Sequence, residues 1–247
     1  MNQIDSSIVH DSNINCSALV INQSSTNITF ADSKIRFYSF DEKGLSRSRN
    51  RAISLAKGDI CLLSDDDELF NDCVEKIVTE QYAALDADII VFDLANYHKR
   101  IKRTTHKMKW SELLKVSSVQ ISFRLSSVKG VISFDEKLGA GTPNGFGEEV
   151  KFLLDAAKKK LKIYYVPIDI GILKTSVSSW FTGYDYNYFF RRGKINRYTL
   201  GFFYGLLYSL YFLFFKHNLY VKNISFPKAF VASIRGFFSD VDHPADA

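Results

Sequence analysis

The sequence has few cysteines and no pattern that pairs them. Its three cysteines, Cys16, Cys61 and Cys73, are odd in number and show no Cys-x-x-Cys spacing. A reducing compartment is the simplest interpretation, with Cys61 and Cys73 as small core residues. The N-terminus also lacks a basic segment followed by an apolar one, so nothing in the sequence indicates secretion.

Strong net charge, internal repeats and low-complexity segments are missing as well. The net charge of +5 is compatible with anionic ligands or membrane headgroups, but it is too small to indicate a nucleic-acid partner by itself. With 46% hydrophobic and 15% aromatic residues, the chain can build a core, which argues against general disorder. Its 247 residues suffice for one large α/β domain with an appendage, or for two small domains.

The most informative stretch is residues 44–70, which indicates a helix, a turn, a buried strand and an acidic turn. Leu45 and Ile53 belong to an apolar pattern with helical spacing, and Gly58 marks the end of that helix. The apolar run 60–63 has the length of a strand that is covered on both faces. Four acids come soon after it: Asp65, Asp66, Asp67 and Glu68.

These consecutive acids repel one another unless a cation lies among them. Hard divalent cations prefer oxygen ligands, and in open α/β sheets ligands bind beyond the carboxyl ends of the strands. The structural alternative is a solvated turn that caps the next helix through Asp67 or Asn71. The helix with its Arg-Asn pair and the buried strand that follows favour a binding site over that alternative.

Residues 44–53 follow the pattern G-L-S-x-x-R-N-x-A-I, and a hydrophobic strand and D-D-D come after them. This order of motifs resembles the half of the family 2 glycosyltransferases that binds the nucleotide sugar. These enzymes have the GT-A fold. The resemblance extends over most of residues 2–193. It implies that Asp65 and Asp67 hold Mg²⁺ or Mn²⁺, with Asp66 as a second candidate beside the donor. Such an ion neutralises a leaving diphosphate.

The resemblance also implies which residues lie around the donor. Gly44, Arg49 and Asn50 are expected near the diphosphate and ribose, where backbone N–H groups and an arginine fork suit phosphate. A surface salt bridge is the alternative for Arg49. Asn22 and Gln23 stand where the family usually has an acidic pair that contacts the nucleotide base. Their amides can hydrogen-bond a uracil edge, and an ordinary polar turn is the alternative.

One element of the family has no counterpart in the sequence. The family's first strand precedes the segment predicted as a strand at 17–21, but here only residues 1–3 resemble the end of the turn that follows it. Loss of a central strand leaves its neighbours with unpaired backbone groups. We therefore expect this strand to be absent or replaced by another segment.

Glu148 and Glu149 begin the clearest helix, whose buried stripe runs from Val150 to Leu161. The resemblance implies that Glu149 is the general base that deprotonates the acceptor hydroxyl, and that Glu148 orients an acceptor or sugar hydroxyl. It also implies that the glycine-rich loop before them, which includes Gly141, lies close to the sugar. The structural alternative is that the two glutamates only favour the helix dipole.

Trp180 stands beside two serines and is the predicted acceptor contact, because a tryptophan face stacks on the apolar face of a sugar. Burial in the core is the alternative. Related sequences often carry a histidine shortly before this position as a possible metal ligand. Leu173 and Lys174 occupy that neighbourhood here, so the sequence shows no third protein ligand.

Predicted strands alternate with predicted helices along most of the chain. The strands are expected at 17–21, 34–40, 60–63, 87–94, 119–124 and 162–166. This alternation predicts an α/β fold: a GT-A (Rossmann-like), mostly parallel sheet with helices on both faces, plus a C-terminal helical appendage. The GT-A-like domain is expected over residues 1–193 and the appendage over residues 194–247.

Residues 198–215 carry no charge and are flanked by basic residues. At ~18 residues the segment is at the lower limit for a membrane span, and its tyrosines and glycines make it less apolar than most spans. We expect an interfacial or packed helix pair that contacts the cytoplasmic membrane surface, with a true span as the alternative. The basic run 98–109 is expected to be solvated, or else to contact an acceptor phosphate or anionic lipid.

The sequence therefore predicts a metal-dependent glycosyltransferase that moves a sugar from a nucleotide-diphosphate donor to an acceptor hydroxyl. A UDP-sugar is the preferred donor, and the reaction is expected to invert the anomeric carbon. The resemblance implies a glycan or lipid-linked acceptor in bacterial surface-polysaccharide synthesis, at the cytoplasmic face of the plasma membrane. No nucleic-acid partner is expected. Two alternatives stay open: a non-catalytic relative that acts as a binding or scaffold protein, and a metal-dependent nucleotidyltransferase.

Overall fold

The chain forms two compact units in a computed structural model that describes residues 5–25, 33–97, 101–174, 181 and 183–242. The first unit comprises Met1–Asp135 and Glu149–Ser176, and the second comprises Glu136–Glu148 and Val177–Ala247. This division differs from the predicted boundary at residue 193. The second unit begins earlier along the chain and also includes the glycine-rich loop.

Helices and strands alternate through the first unit, and helices dominate the second. The elements are α1 (Ser7–Asp11), β1 (Ala18–Gln23), β2 (Ile35–Phe40), α2 (Leu45–Leu55), β3 (Ile60–Leu62), β4 (Glu68–Phe70), α3 (Val74–Ala84), β5 (Ile89–Asp93), β6 (His106–Lys107), α4 (Trp110–Leu113), β7 (Ile121–Arg124), α5 (Leu125–Val128), α6 (Glu148–Lys158), β8 (Ile163–Asp169), β9 (Gly171–Leu173), α7 (Tyr186–Phe215), α8 (His217–Tyr220) and α9 (Phe226–Phe237). A single 3-10 turn, Ser118–Gln120, leads into β7.

The main sheet has five strands in the order β3-β7-β5-β8-β6. Strand β7 is antiparallel to both β3 and β5, whereas β5 and β8 are parallel. Consequently β3, β5 and β8 run in the same direction and end at the same edge, as an α/β fold requires. The sheet is nevertheless mixed rather than mostly parallel, because β7 is inserted in the opposite direction and β6 is antiparallel at the margin.

Helices cover both faces of this sheet, as predicted. Successive side chains of a strand point to opposite faces, and all five residues of β5 are buried. On one face, Ile90 and Phe92 share a core cluster with side chains of α3. On the other, Phe123 of β7 lies beside Phe152 of α6, with ring centroids 6.3 Å apart. The α/β core is thus built around β5.

Strands β1 and β2 form a separate two-stranded parallel sheet. Among the residues that the structure describes, no ladder joins β1 to β3. The apolar residues of β3 are only half-buried, Cys61 among them, because β3 is the edge strand of the sheet that the described residues form. Cys73 is exposed, so the prediction that it is a core residue was wrong: it lies just before α3, outside the buried stripe.

In the second unit, helix α7 is folded back on itself at Gly201. The backbone there has φ 77° and ψ −175°, a left-handed conformation that glycine adopts without steric cost. The Asn196 amide donates a hydrogen bond to the Ser209 hydroxyl at 2.9 Å, although the two residues are 13 positions apart. In a straight helix they would be about 20 Å apart. We call residues 186–200 the first arm and residues 202–215 the second arm.

By length and composition, α7 is the one helix among the described residues that could cross a membrane. Residues 198–215 are helical, as predicted. The prediction missed that the helix starts at Tyr186 and that the chain reverses at Gly201. Only 28% of its most apolar stretch is buried, whereas the core helix of a soluble protein is mostly buried.

Helix α9 packs closely against the first arm, and each of the two helices has a glycine at the contact. A Cβ atom added to Gly236 would lie 1.8 Å from the carbonyl oxygen of Phe190, and one added to Gly193 would lie 2.0 Å from the carbonyl oxygen of Ser233. These contacts are with backbone atoms, which cannot rotate away. The two helices can therefore pack at this distance only where both positions lack a side chain.

The change Gly236→Ala should destabilise the second unit by about 1–3 kcal/mol, because the added methyl group forces the two helices apart. Thermal unfolding followed by circular dichroism measures this effect, at about 2–4 °C for each kcal/mol. Gly58→Ala is the control, since a Cβ there would meet its nearest atom at an ordinary 3.4 Å. Equal losses in the two variants would contradict the proposed packing.

Candidate active site

The acidic turn connects β3 to β4 at the carboxyl edge of the main sheet. Strand β4 pairs with β9, and the backbone N–H of Lys174 donates to the Asp67 carbonyl at 2.7 Å. Helix α3 begins only at Val74, and its N-cap residue is Cys73. The alternative in which Asp67 or Asn71 caps this helix is therefore wrong, and the backbone of the turn is fixed by strand pairing instead.

Arg49 and Asp65 form an ion pair beneath the turn. One terminal nitrogen of Arg49 lies 3.0 Å and 3.3 Å from the two carboxylate oxygens of Asp65, and only 5% of Arg49 is exposed. The guanidinium group also lies over the Phe134 ring, 5.4 Å from its centroid. The surface salt bridge considered for Arg49 is thus a buried one, in which the arginine already neutralises Asp65.

Glu68 ends the turn as a fully buried carboxyl group. It accepts a hydrogen bond from the Asp65 N–H at 2.9 Å, and its other oxygen has no hydrogen-bond partner among the described residues. Burial raises the pKa of Glu68 from an ordinary 4.5 to about 9, and the nearby Asp65 and Asp67 add to this increase. Glu68 is therefore protonated and neutral at pH 7.

Asp66 and Asp67 follow Asp65 in the turn and precede the buried Glu68, and both are half-buried. Partial burial, together with repulsion from Asp67 and Asp65, raises the pKa of Asp66. Within the described part of the chain, no three His, Cys, Asp or Glu side chains lie close enough to hold a metal ion by themselves. Mg²⁺ is commonly bound by one or two carboxylates plus substrate phosphates, and the turn fits that pattern.

The residues predicted to surround the donor base and phosphates lie close to the start of α2. Gln23 ends β1 rather than standing in a loop, and its side-chain amide donates to the Gly44 carbonyl at 3.0 Å. Gly44 precedes α2 with φ 113°, a conformation that favours glycine. Asn22 is buried and donates to the Ser39 hydroxyl at 3.3 Å. The structure thus brings Gln23 and Gly44 together and directs Asn22 to the neighbouring strand.

Asn50 holds the backbone of Phe134. Its amide nitrogen donates to the Phe134 carbonyl at 2.9 Å, and its amide oxygen accepts from the Phe134 N–H at 2.8 Å. Both polar groups of the side chain thus have backbone partners. Asn50 fixes the segment that stacks on Phe152 and faces Arg49.

The structure starts α6 at Glu148, as the sequence predicted. Glu148 is buried and belongs to the second unit, whereas Glu149 is partly exposed and belongs to the first. Gly141 is exposed, with φ 81°, in the loop before them. Trp180 lies outside the described residues. The catalytic roles of Glu148 and Glu149 and the acceptor roles of Gly141 and Trp180 stay predictions.

Sequence analysis missed a second polar cluster at the carboxyl edge of the sheet. Asp93 ends β5 and is buried; it accepts from the Tyr165 hydroxyl at 2.6 Å and pairs with Arg103 at 3.3 Å. Arg103 also lies 3.8 Å from Asp169, at the end of β8. The signal was present, because an acid that directly follows a buried strand obeys the rule used for the acidic turn. Arg103 comes from the basic run expected to be solvated, and part of that run is engaged here instead.

Solved structures of other proteins share this fold. The chain superposes on the S. aureus TarS fragment 1-349 with a TM-score of 0.58 at 14% identity, covering 93% of this chain and 72% of that one. The same fragment in complex with UDP-GlcNAc gives a TM-score of 0.61 at 16% identity, with 89% and 71% covered. The mannosyltransferase PcManGT from Pyrobaculum calidifontis, solved with GDP-Man and Mn2+, gives 0.57 at 12% identity, with 94% and 71% covered. The fold is the GT-A fold of glycosyltransferases.

Residues 9–136, more than half of the chain, match the model of glycosyl transferase family 2. The chain belongs to this family. The matched region contains β1, β2, Gly44, Arg49 and the acidic turn, but it ends before Glu148 and Glu149. No curated protein sequence matches the chain.

The pKa of Glu68 predicts a pH-dependent stability that Glu68→Gln removes. Because the folded state keeps the proton between pH 4.5 and about 9 while the unfolded state loses it, stability falls as pH rises through this window. With a chelator present, the variant should melt at a higher temperature than the wild type at pH 8, and at a similar temperature at pH 5. If the variant keeps the wild-type dependence on pH, Glu68 is not the group responsible.

Proposed function

We propose that this chain transfers a sugar from a nucleotide-diphosphate donor to an acceptor hydroxyl in a metal-dependent reaction that inverts the anomeric carbon. The observation that supports this most is the acidic turn at the carboxyl end of β3, with the buried Arg49 beneath it. This arrangement lies inside the region that matches family 2. Structural relatives with bound UDP-GlcNAc or with GDP-Man and Mn2+ support a nucleotide-sugar donor, and a UDP-sugar remains our first candidate.

Asp67 is the preferred protein ligand for the metal, with Asp66 as the second. Bound there, Mg²⁺ or Mn²⁺ would stabilise the negative charge that develops on the leaving diphosphate. Asp65 then acts through Arg49: the ion pair holds the arginine in place and keeps Asp65 from competing for the cation. The start of α2 at Gly44 offers backbone N–H groups to the donor phosphates.

Glu149 is the proposed general base. It is partly exposed in the first turn of α6, where a carboxylate can accept a proton from an acceptor hydroxyl as that oxygen attacks the anomeric carbon. Glu148 and Gly141 are proposed to orient the acceptor and the transferred sugar. A glycan or lipid-linked acceptor, used in surface-polysaccharide synthesis at the cytoplasmic face of the plasma membrane, is part of this proposal.

One observation favours the second candidate, a non-catalytic relative that binds a nucleotide sugar without turnover. Among the described residues, no strand joins the β1–β2 sheet to β3, although the donor residues lie on both sides of that gap. Hydrolysis of a sugar nucleotide in the presence of Mn²⁺ separates the two candidates. A catalytic protein releases free sugar and nucleoside diphosphate, whereas a binding protein is stabilised by the donor but leaves it intact.

Asp67→Asn should remove the metal-dependent part of donor turnover, a loss of at least about a hundredfold, because a metal supplies several kcal/mol to the transition state. The measurement is donor hydrolysis with and without Mn²⁺, using the UDP-, GDP- or dTDP-sugar that gives the largest metal-dependent rise in melting temperature. Asp59→Asn, an exposed acid before β3, is the matched control and should behave as wild type. Unchanged metal-dependent turnover in Asp67→Asn would disprove the metal role of the turn.

Glu149→Gln should leave donor binding intact and lower transfer by about 10²–10⁴-fold, the usual contribution of a general base. Thermal stabilisation by donor and Mn²⁺ reports binding, and product formation with an acceptor reports transfer. Asp155→Asn, on the same helix, is the control; its carboxylate pairs with Lys151 and Lys158 and takes no part in the proposed chemistry. Transfer at the wild-type rate by Glu149→Gln would exclude this residue as the base.

A further inference from the structure

The second arm of α7 has an apolar outer face that the rest of the described protein does not cover. Phe203, Leu207, Tyr211 and Phe214 are exposed by 76%, 55%, 44% and 59%. At 3.6 residues per turn these four side chains fall within about 80° of arc. The opposite side of the same arm is buried and includes Ser209, bonded to Asn196. The arm is thus more apolar towards solvent than a surface helix of a soluble protein normally is.

The geometry of the arm fits a helix that lies in an interface rather than one that crosses a bilayer. Residues 202–215 make a helix about 21 Å long, whereas a bilayer core is about 30 Å thick. The first arm cannot extend this length, because the chain reverses at Gly201 and the Asn196–Ser209 hydrogen bond holds the two arms side by side. A Cβ at Gly205 would lie 2.5 Å from the Asn196 carbonyl oxygen, which shows how closely the arms pack.

The helical segment that carries the outer face has charge of only one sign. Residues 186–239 contain eight lysines and arginines and no aspartate or glutamate. Arg197, Lys222, Lys228 and Arg235 are exposed. Arg197 lies 5.4 Å from the ring centroid of Phe202, an aromatic residue exposed by 49%, so a cationic group and an exposed apolar group lie side by side at the start of the second arm. Anionic headgroups above an apolar layer complement this combination.

We propose that the outer face of the second arm docks the chain on an anionic lipid bilayer, with the arm lying in the headgroup region and its aromatic side chains inserted among the acyl chains. Exposed basic residues of the same helical segment contact the headgroups. A second copy of this chain is a poorer occupant, because a symmetric contact would bring two surfaces of the same charge together. The inference does not depend on the enzymatic proposal, since it concerns the helical segment alone.

Co-sedimentation of the full chain with vesicles tests this inference. The chain should bind vesicles that contain phosphatidylglycerol, bind vesicles of pure phosphatidylcholine much less, and dissociate as salt is raised. The triple change Phe203→Ser, Leu207→Ser, Phe214→Ser should weaken binding at least about tenfold, because one fully buried Phe or Leu is worth about that much. Trp110→Ser, which removes an aromatic residue exposed by 45% in the first unit, is the matched control.

Charge is tested separately from apolar contact. Lys222→Gln and Lys228→Gln should each weaken binding to phosphatidylglycerol vesicles by about fivefold. Lys57→Gln and Lys159→Gln, exposed lysines of the first unit, should have no effect. The change Phe203→Trp, made in a chain whose Trp110 and Trp180 are replaced by phenylalanine, adds a single tryptophan that leaves the arm aromatic. Its emission should shift to the blue on mixing with these vesicles and be quenched by brominated lipids.

Three outcomes overturn the proposal. The first is undiminished vesicle binding by the triple serine variant. The second is retention of the chain in the bilayer after alkaline carbonate extraction, which indicates a span. The third is a dimer in solution that the triple variant converts to a monomer while neither protein binds vesicles, which makes a second copy the occupant.

Discussion

Repulsion among the carboxyl groups of residues 65–68 is the constraint on which the candidate site depends. The chain meets it in two ways: Arg49 neutralises Asp65, and burial keeps the proton on Glu68. Asp66 and Asp67, the two half-buried acids between them in the sequence, are the ones that we propose as cation ligands. A turn organised in this way avoids the full electrostatic cost of four adjacent ionised groups.

The backbone under these side chains is fixed by ordinary strand pairing. β3 belongs to the five-stranded sheet, and β4 pairs with β9, so both ends of the turn are anchored in ladders. The Lys174 N–H adds a hydrogen bond to the carbonyl of Asp67 itself. Strand ladders on both sides therefore hold in place the backbone that carries the carboxyl groups.

Local sequence patterns predicted many of the helices and strands, but they did not predict which distant residues and strands pair with each other. Helix α2, strand β3 and the start of α6 at Glu148 were predicted, because helical spacing, a short apolar run and the glycines before the helix are local signals. The antiparallel direction of β7 was missed, since a buried strand has the same composition in either direction. The pairing of Arg49 with Asp65 and the reversal at Gly201 depend on contacts between distant residues. Glycine within the uncharged segment 198–215 was the only local sign of that reversal.

The hydrogen bonds between Asn50 and Phe134 have a consequence for how the protein can vary. The side-chain amide of Asn50 hydrogen-bonds both the carbonyl and the N–H of Phe134, 84 positions away in the sequence. It thus replaces the hydrogen bonds that a neighbouring strand would make. The chain is thereby tethered to α2 immediately before residues 136–148. Insertions or deletions in that segment can be absorbed beyond the tether, so its length can change without displacing Phe134 from α2.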